Sequence, residues 1–172
     1  MTYRADMANK GRGLEELVAF QNGRYAAQGI ANIQKISTPW KVVRQGDRIV
    51  SAFPEGKSTL DFRGTVRGGI PVSFDAKESE DVRGLPLKYI KPHQIDYIRS
   101  ALPLGEVSFL LCCIKPTGAL YIIHGADVLR HWDYWKNNKG KRGCNLIPTE
   151  EMHRVSGDLD YLRVALRREE NT

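Results

Sequence analysis

The segment Phe74-Asp75-Ala76-Lys77-Glu78 sets an acid and a lysine two residues apart. Around them Val72, Phe74 and Ala76 alternate with Ser73, Asp75 and Lys77, the period of 2 expected of a strand. The apolar trio is predicted to face a core and the polar trio the opposite face. Asp75 and Lys77 then project side by side, roughly 7 Å apart along the strand. Upstream, Thr59 to Val66 forms a second extended run, and an Arg67-Gly68-Gly69 turn folds it back on Ile70 to Glu78. Such a hairpin brings Asp61 within reach of Asp75. Two carboxylates converging beside an ammonium group suit phosphodiester hydrolysis. Carboxylate oxygens can hold a hydrated Mg²⁺ that lowers the pKa of a bound water, and lysine can meet the charge that builds on phosphate oxygens. The same two residues would also suit a solvated face with a surface ion pair, and D-x-K alone favours that plainer explanation.

The elements needed to position these groups are legible on either side. Leu14 to about Gln28 is predicted to be a helix, with Leu14, Leu17, Val18 and Tyr25 near one stripe and Gly29 as its stop. Asn32 to Ser37, Trp40 to Val43 and Arg48 to Phe53 are short extended runs. Lys91 to Leu102 suits a helix, with Pro92 in its first turn and Pro103 beyond its end. Val107 to Lys115 and Ala119 to His124 form a second hairpin, Asp127 to Trp135 a short helix, and Leu159 to Leu166 a last strand or helix. The sum is a mixed α/β domain, one central sheet flanked by helices.

The chain has 172 residues, 41% hydrophobic and 27% charged, the balance of one globular domain with a real core. Its longest apolar run, Val107 to Ile114, has strand length, well short of the ~20 residues of a membrane span. The first residues lack the apolar stretch of a secretory signal, so a cytoplasmic location and no membrane partner are expected. Lys plus Arg exceed Asp plus Glu by 26 to 20, a net charge of +6, which suits a polyanionic partner without proving one. Lys136 to Arg142 carries Lys136, Lys139, Lys141 and Arg142 with no acid, a solvated loop or a set of phosphate contacts. Lys10 and Arg12 are similar candidates. Trp132, Tyr134 and Trp135 could stack on unpaired bases or pack on the sheet, the latter being favoured for two of the three. His124, His131 and His153 are scattered, with no zinc spacing. Cys112, Cys113 and Cys144 form no metal or redox pattern, and reduced thiols are expected.

Taken in order, the motifs resemble the PD-(D/E)XK nuclease superfamily and, within it, the RecU family of Holliday junction resolvases. The resemblance runs through Arg12-Gly13-Leu14-Glu15, Asn22, Tyr25, Thr38-Pro39, Ala52-Phe53, Ser58-Thr59 and Asp61-Phe62-Arg63-Gly64. It continues through Phe74 to Glu78, Pro86-Leu87, His93-Gln94-Ile95, Trp132-Asp133 and Asp160-Tyr161-Leu162, about nine tenths of the chain. It implies a restriction-endonuclease-like fold and a metal-dependent endonuclease (Mg²⁺, with Mn²⁺ able to substitute) that resolves four-way DNA junctions in recombination and repair as a homodimer. It further implies that Thr59, Asp61, Asp75 and Gln94 bind the metal, that Lys77 serves the transition state, and that Glu15 is the first-helix glutamate directed at metal or water. RecU proteins usually carry glutamate where Asp75 stands. The arm ahead of the first helix, residues 1–12 before a nuclease domain of 13–172, is shorter than in RecU, as is the junction-binding stalk between Val43 and Ala52. These departures leave two alternatives open: a less selective nuclease acting on flaps or duplex, and an inactive junction-binding module. A bacterial, archaeal or phage origin is equally compatible.

Overall fold

The computed structural model of the protein describes residues 13–54, 56 and 59–167. Helix α1 (Leu14–Ala27) runs unbroken through Gly23, where an added Cβ would meet open space. Then come β1 (Ala31–Lys35), β2 (Trp40–Gln45), β3 (Arg48–Pro54), β4 (Phe62–Val66) and β5 (Ile70–Ser79). A short β6 (Gly84–Pro86), α2 (Pro92–Ala101), β7 (Val107–Ile114), β8 (Ala119–His124) and α3 (Gly125–Asn137) follow. The chain closes with β9 (Leu146–Pro148), β10 (His153–Arg154) and α4 (Tyr161–Ala165). The expected hairpin forms, but its first strand begins at Phe62 rather than Thr59, so Asp61 sits just ahead of β4.

Six strands make the central sheet in the order β1-β4-β5-β7-β8-β10, antiparallel except for the β5–β7 pair. The parallel pair needs a long crossover, and α2 lies within it. Mixed α/β with a central sheet flanked by helices is therefore the architecture, as expected. β2 and β3 form a separate antiparallel pair, exposed along its whole length, and β6 pairs with β9. The β6–β9 pair and β10 are too short to leave a periodic trace in the sequence.

Both faces of the sheet are buried, so the plainer explanation of D-x-K, a solvated face, does not apply. On the first, Phe62, Phe74 and Phe109 are cross-strand partners. Their rings stack at 4.8 Å centroid spacing and 9° interplanar angle. Tyr161 tilts onto Phe74 at 5.2 Å. Tyr161 donates to Asn22 Oδ1, and the Tyr25 hydroxyl donates to Asp160 Oδ1 (2.8 Å) and accepts from the Leu162 amide (3.1 Å). Asn22 and Tyr25 of the first helix and Asp160-Tyr161-Leu162, the last motif of the resemblance, thus clamp α4 to α1. On the second face Leu110, Cys112 and Ile123 are capped by Ile95 and Ile98 of α2, Val128 and Trp132 of α3, and the β6–β9 pair. Close approach of β1 to β4 depends on Gly64, where a Cβ would lie 2.1 Å from the Asn32 carbonyl oxygen.

Candidate active site

Asp75 lies on the second face, midway along β5, and is 1% exposed. That burial excludes a surface ion pair. A buried carboxylate must be paired and hydrogen-bonded to persist, and Asp75 is both. Its Oδ1 accepts from the Asp61 backbone amide (2.9 Å), its Oδ2 is 2.7 Å from Lys77 Nζ, and Oδ2 also accepts from Gln94 Nε2. Lys77 Nζ donates in turn to Gln94 Oε1 (3.0 Å). Acid, lysine and amide close a triangle. Strand periodicity places Asp75 and Lys77 on one face, as expected, and turning them toward each other brings the pair into contact.

Gln94 reaches this triangle through local helix chemistry. Pro92 is the first residue of α2, and Gln94 at the third helical position returns its Oε1 to the Lys91 amide (2.9 Å). A glutamine there satisfies an orphan N-terminal donor and fixes its own side chain. Gln94 Oε1 therefore accepts twice, from Lys91 and Lys77, while Nε2 is spent on Asp75. Sequence reasoning missed the Lys91 amide; Pro at the first and Gln at the third helical position were the signal for it. His93, the next residue back, carries a buried Nε2 with no hydrogen-bond partner among the described side chains.

The Asp61 peptide is held from both ends, its amide donating to Asp75 and its carbonyl accepting from the Ile36 amide (2.7 Å). Asp61 and Thr59 line a cleft of 280 Å³ together with Ile36, Ser37, Pro39 and Leu60. Asp61, Asp75, Lys77 and Gln94 are thus brought together, with Thr59 at the adjoining cleft. Glu15 stands apart. It is exposed and pairs with Lys35 Nζ at 2.5 Å, and Lys35 is the register partner of Phe62, one residue from Asp61.

Lys10 and Arg12 lie outside the described residues. Lys136 sits over the rings of Trp132 (4.4 Å) and Trp135 (4.3 Å), a cation–π contact. Trp132 is core, Trp135 packs partly against it, and Tyr134 is exposed. Lys139, Lys141 and Arg142 are exposed on a loop closed by Cys144, whose Sγ donates to the Lys141 and Asn138 carbonyls. Beside that loop runs a 430 Å³ groove bordered by Arg83, Lys88, Trp135 and Asn145. Arg83 and Lys88 are cations that sequence reasoning passed over. Among the described residues no helix is long and apolar enough to cross a membrane.

A family model described as recombination protein U matches residues 9–164. Holliday junction resolvase RecU of Streptococcus pneumoniae (strain Hungary19A-6) is 30% identical over 147 residues, 82% of this chain and 72% of that protein. Its namesake from Lactiplantibacillus plantarum is 28% identical over 162 residues, 91% of this chain and 76% of the relative. That of Limosilactobacillus reuteri is 31% identical over 140 residues, covering 78% and 68%. Among solved structures, Archaeoglobus fulgidus Hjc, a Holliday junction resolvase from an archaeal hyperthermophile, aligns at TM-score 0.38 and 11% identity over 86% of this chain and 98% of that one. With the family match spanning residues 9–164, the chain belongs to the recombination protein U family.

Proposed function

We propose that this chain is a structure-specific endodeoxyribonuclease that resolves four-way DNA junctions in recombination and repair by paired, metal-dependent nicking. One observation carries the reading: a buried aspartate locked to a lysine and tied to Asp61, in a chain whose relatives are named Holliday junction resolvases.

The donor set suits a hard divalent cation. An ionised carboxylate offers about four lone-pair sites, and the contacts described above use three of those on Asp75, leaving one on Oδ1, the side of Asp61. Asp61 and Asp75, with the Thr59 hydroxyl from the cleft, would hold Mg²⁺, or Mn²⁺ in its place. When bound, the ion would supply a water of lowered pKa and neutralise phosphate charge. Lys77 presents its ammonium to the phosphate oxygens where negative charge grows. Gln94 keeps acid and lysine in register; for its Oε1 to join the metal shell, Lys77 or the Lys91 amide would have to let go. Glu15 can reach the site only by releasing Lys35.

Lys136, Lys139, Lys141 and Arg142 supply phosphate contacts beside the Arg83 and Lys88 groove, and Lys10 and Arg12 add to them from the 1–12 arm. The exposed β2–β3 pair stands at the position of the family's stalk and meets the junction. A homodimer presents two sites to a two-fold symmetric junction, in the cytoplasm, where recombination takes place.

The test is cleavage of a labelled synthetic four-way junction with Mg²⁺, wild type beside Asp75→Ala. Paired symmetric nicks by the wild type alone support the proposal. Equal cleavage of junction, flap and linear duplex reduces it to a general endonuclease, and tight junction binding without cleavage leaves a binding module.

A further inference from the structure

A second polar cluster lies on the opposite face of the sheet from Asp75. His124, the last residue of β8, is the register partner of Phe109 and shares the face of the stacked phenylalanines. His153 on β10 pairs with Ile122, two residues before His124, a diagonal across which long side chains meet. The two imidazole rings sit 4.8 Å apart at 70°. Asp127 reaches the same point from the first turn of α3. One ligand atom from each of His124, Asp127 and His153 lies within 4.8 Å of the others, and all three residues are partly buried. No spacing in the sequence announces this group: His124 and Asp127 are neighbours across the start of α3, but His153 lies 26 residues beyond Asp127 and joins them only through the β8–β10 pairing.

We propose that His124, Asp127 and His153 form a binding site for a borderline divalent cation of the Zn²⁺ type, separate from the nuclease centre. Two imidazoles and one carboxylate suit zinc-like ions better than the all-oxygen donors that suit Mg²⁺. The outer contacts agree. His124 Nε2 lies 3.2 Å from the Ala165 carbonyl oxygen; donating to it leaves Nδ1 as the nitrogen with a free lone pair. Metal-bound histidines characteristically donate their second nitrogen in this way. Asp127 Oδ1 accepts from Arg130 (2.9 Å), which orients the carboxylate and leaves its other oxygen for an ion. Tetrahedral bonds of about 2.0–2.1 Å ask for ligand atoms roughly 3.4 Å apart, a closure that side-chain torsions supply. Three protein ligands leave the fourth position to water.

The ion would join β8, the start of α3 and the two-residue strand β10, with α4 tied in through Ala165. That is where the C-terminal part of the fold is least secured by strand pairing. Binding to the native state alone lowers the unfolding equilibrium constant about 100-fold at a hundred times Kd.

The experiment is calorimetric titration of the chelator-treated full chain with Zn²⁺, paired with Co²⁺ absorption as a report on coordination. The chains compared are wild type, Asp75→Asn, His153→Gln, His124→Gln and Asp127→Asn. One equivalent of Zn²⁺ should bind wild type and Asp75→Asn alike. Affinity should fall by more than about 100-fold in either histidine variant, beyond what an outer-shell change costs, and less in Asp127→Asn. Circular dichroism and Mg²⁺-dependent junction cleavage, expected to be unchanged in the three site variants, verify their folding; should a histidine variant fail there, Asp127→Asn decides. Absence of saturable binding overturns the proposal. So does binding that survives the variants, which would place the ion on a cysteine or elsewhere. Loss of Zn²⁺ in Asp75→Asn would place it in the nuclease centre and equally refute a separate site.

Discussion

Asp75 gives up nearly all of its hydration, and Lys77, its side chain 12% exposed, is the group that makes this tolerable. Removing one partner of a buried pair leaves an uncompensated charge, a cost of about 3–5 kcal/mol. Lys77→Met should therefore lower stability by about 3 kcal/mol in urea unfolding, and Asp75→Asn with Lys77→Met should recover much of that loss. Neither should cleave. With the transition-state charge unmet, Lys77→Ala should cut junction cleavage by at least about 10²–10³-fold while junction binding persists. Binding that vanished with it would make the lysine chiefly a phosphate anchor. On the same face, burial pushes the Cys112 thiol from its ordinary 9.0 up to about 12. The folded state then holds a proton that the unfolded chain releases, so this contribution is complete below pH 9 and is lost as pH rises from about 9 toward 12. Cys112→Ala should flatten the alkaline limb of stability against pH, and native Cys112 should resist alkylation at pH 8.

Elements explain why these residues meet. Asp75 and Lys77 depend on the pleat of β5, Asp61 on the chain entering β4, and Gln94 on the first turn of α2. The β1–β4 contact matters because it fixes the Asp61 carbonyl through Ile36. Gly64→Ala forces a Cβ into a space 2.1 Å from the Asn32 oxygen, which must part the strands. A destabilisation of about 3 kcal/mol is expected, with cleavage falling further than stability alone explains because Asp61 shifts. Thermal unfolding and junction cleavage measured on the same sample check it; unchanged values for both would mean that β1 relaxes freely.

The whole molecule sets how DNA is approached. A net charge of +6 favours a polyanion from any direction, whereas the exposed Lys139, Lys141 and Arg142 lie on one loop. Replacing these three with alanine should reduce the slope of log affinity against log salt by about 3, roughly one per phosphate contact. Cleavage at saturating protein should be retained. A slope that stayed the same would return the loop to a solvated role. If the molecule works as a homodimer, light scattering should give twice the 19.4 kDa of one chain, and the β2–β3 pair, exposed in one chain, is where protection on junction binding should be sought.

The sequence by itself determined much of this protein. Alternation from Val72 to Lys77 marked β5 and set Asp75 beside Lys77. Arg67-Gly68-Gly69 marked the hairpin, and the Leu14, Leu17, Val18 and Tyr25 stripe marked α1. These are local regularities of backbone period and turn sterics, and they survive in any context. The ordered motifs carried the family. Tertiary structure decided the rest. Only layering on both faces turned D-x-K from a solvated pattern into a buried ion pair. Only the start of α2 carried Gln94 across 19 residues of chain to Asp75, and the packing of α1 beside β1 left Glu15 with Lys35 instead. His124 and His153 met for the same reason. Burial and convergence arise from elements distant in sequence excluding water together, and no local period records which ones will do so.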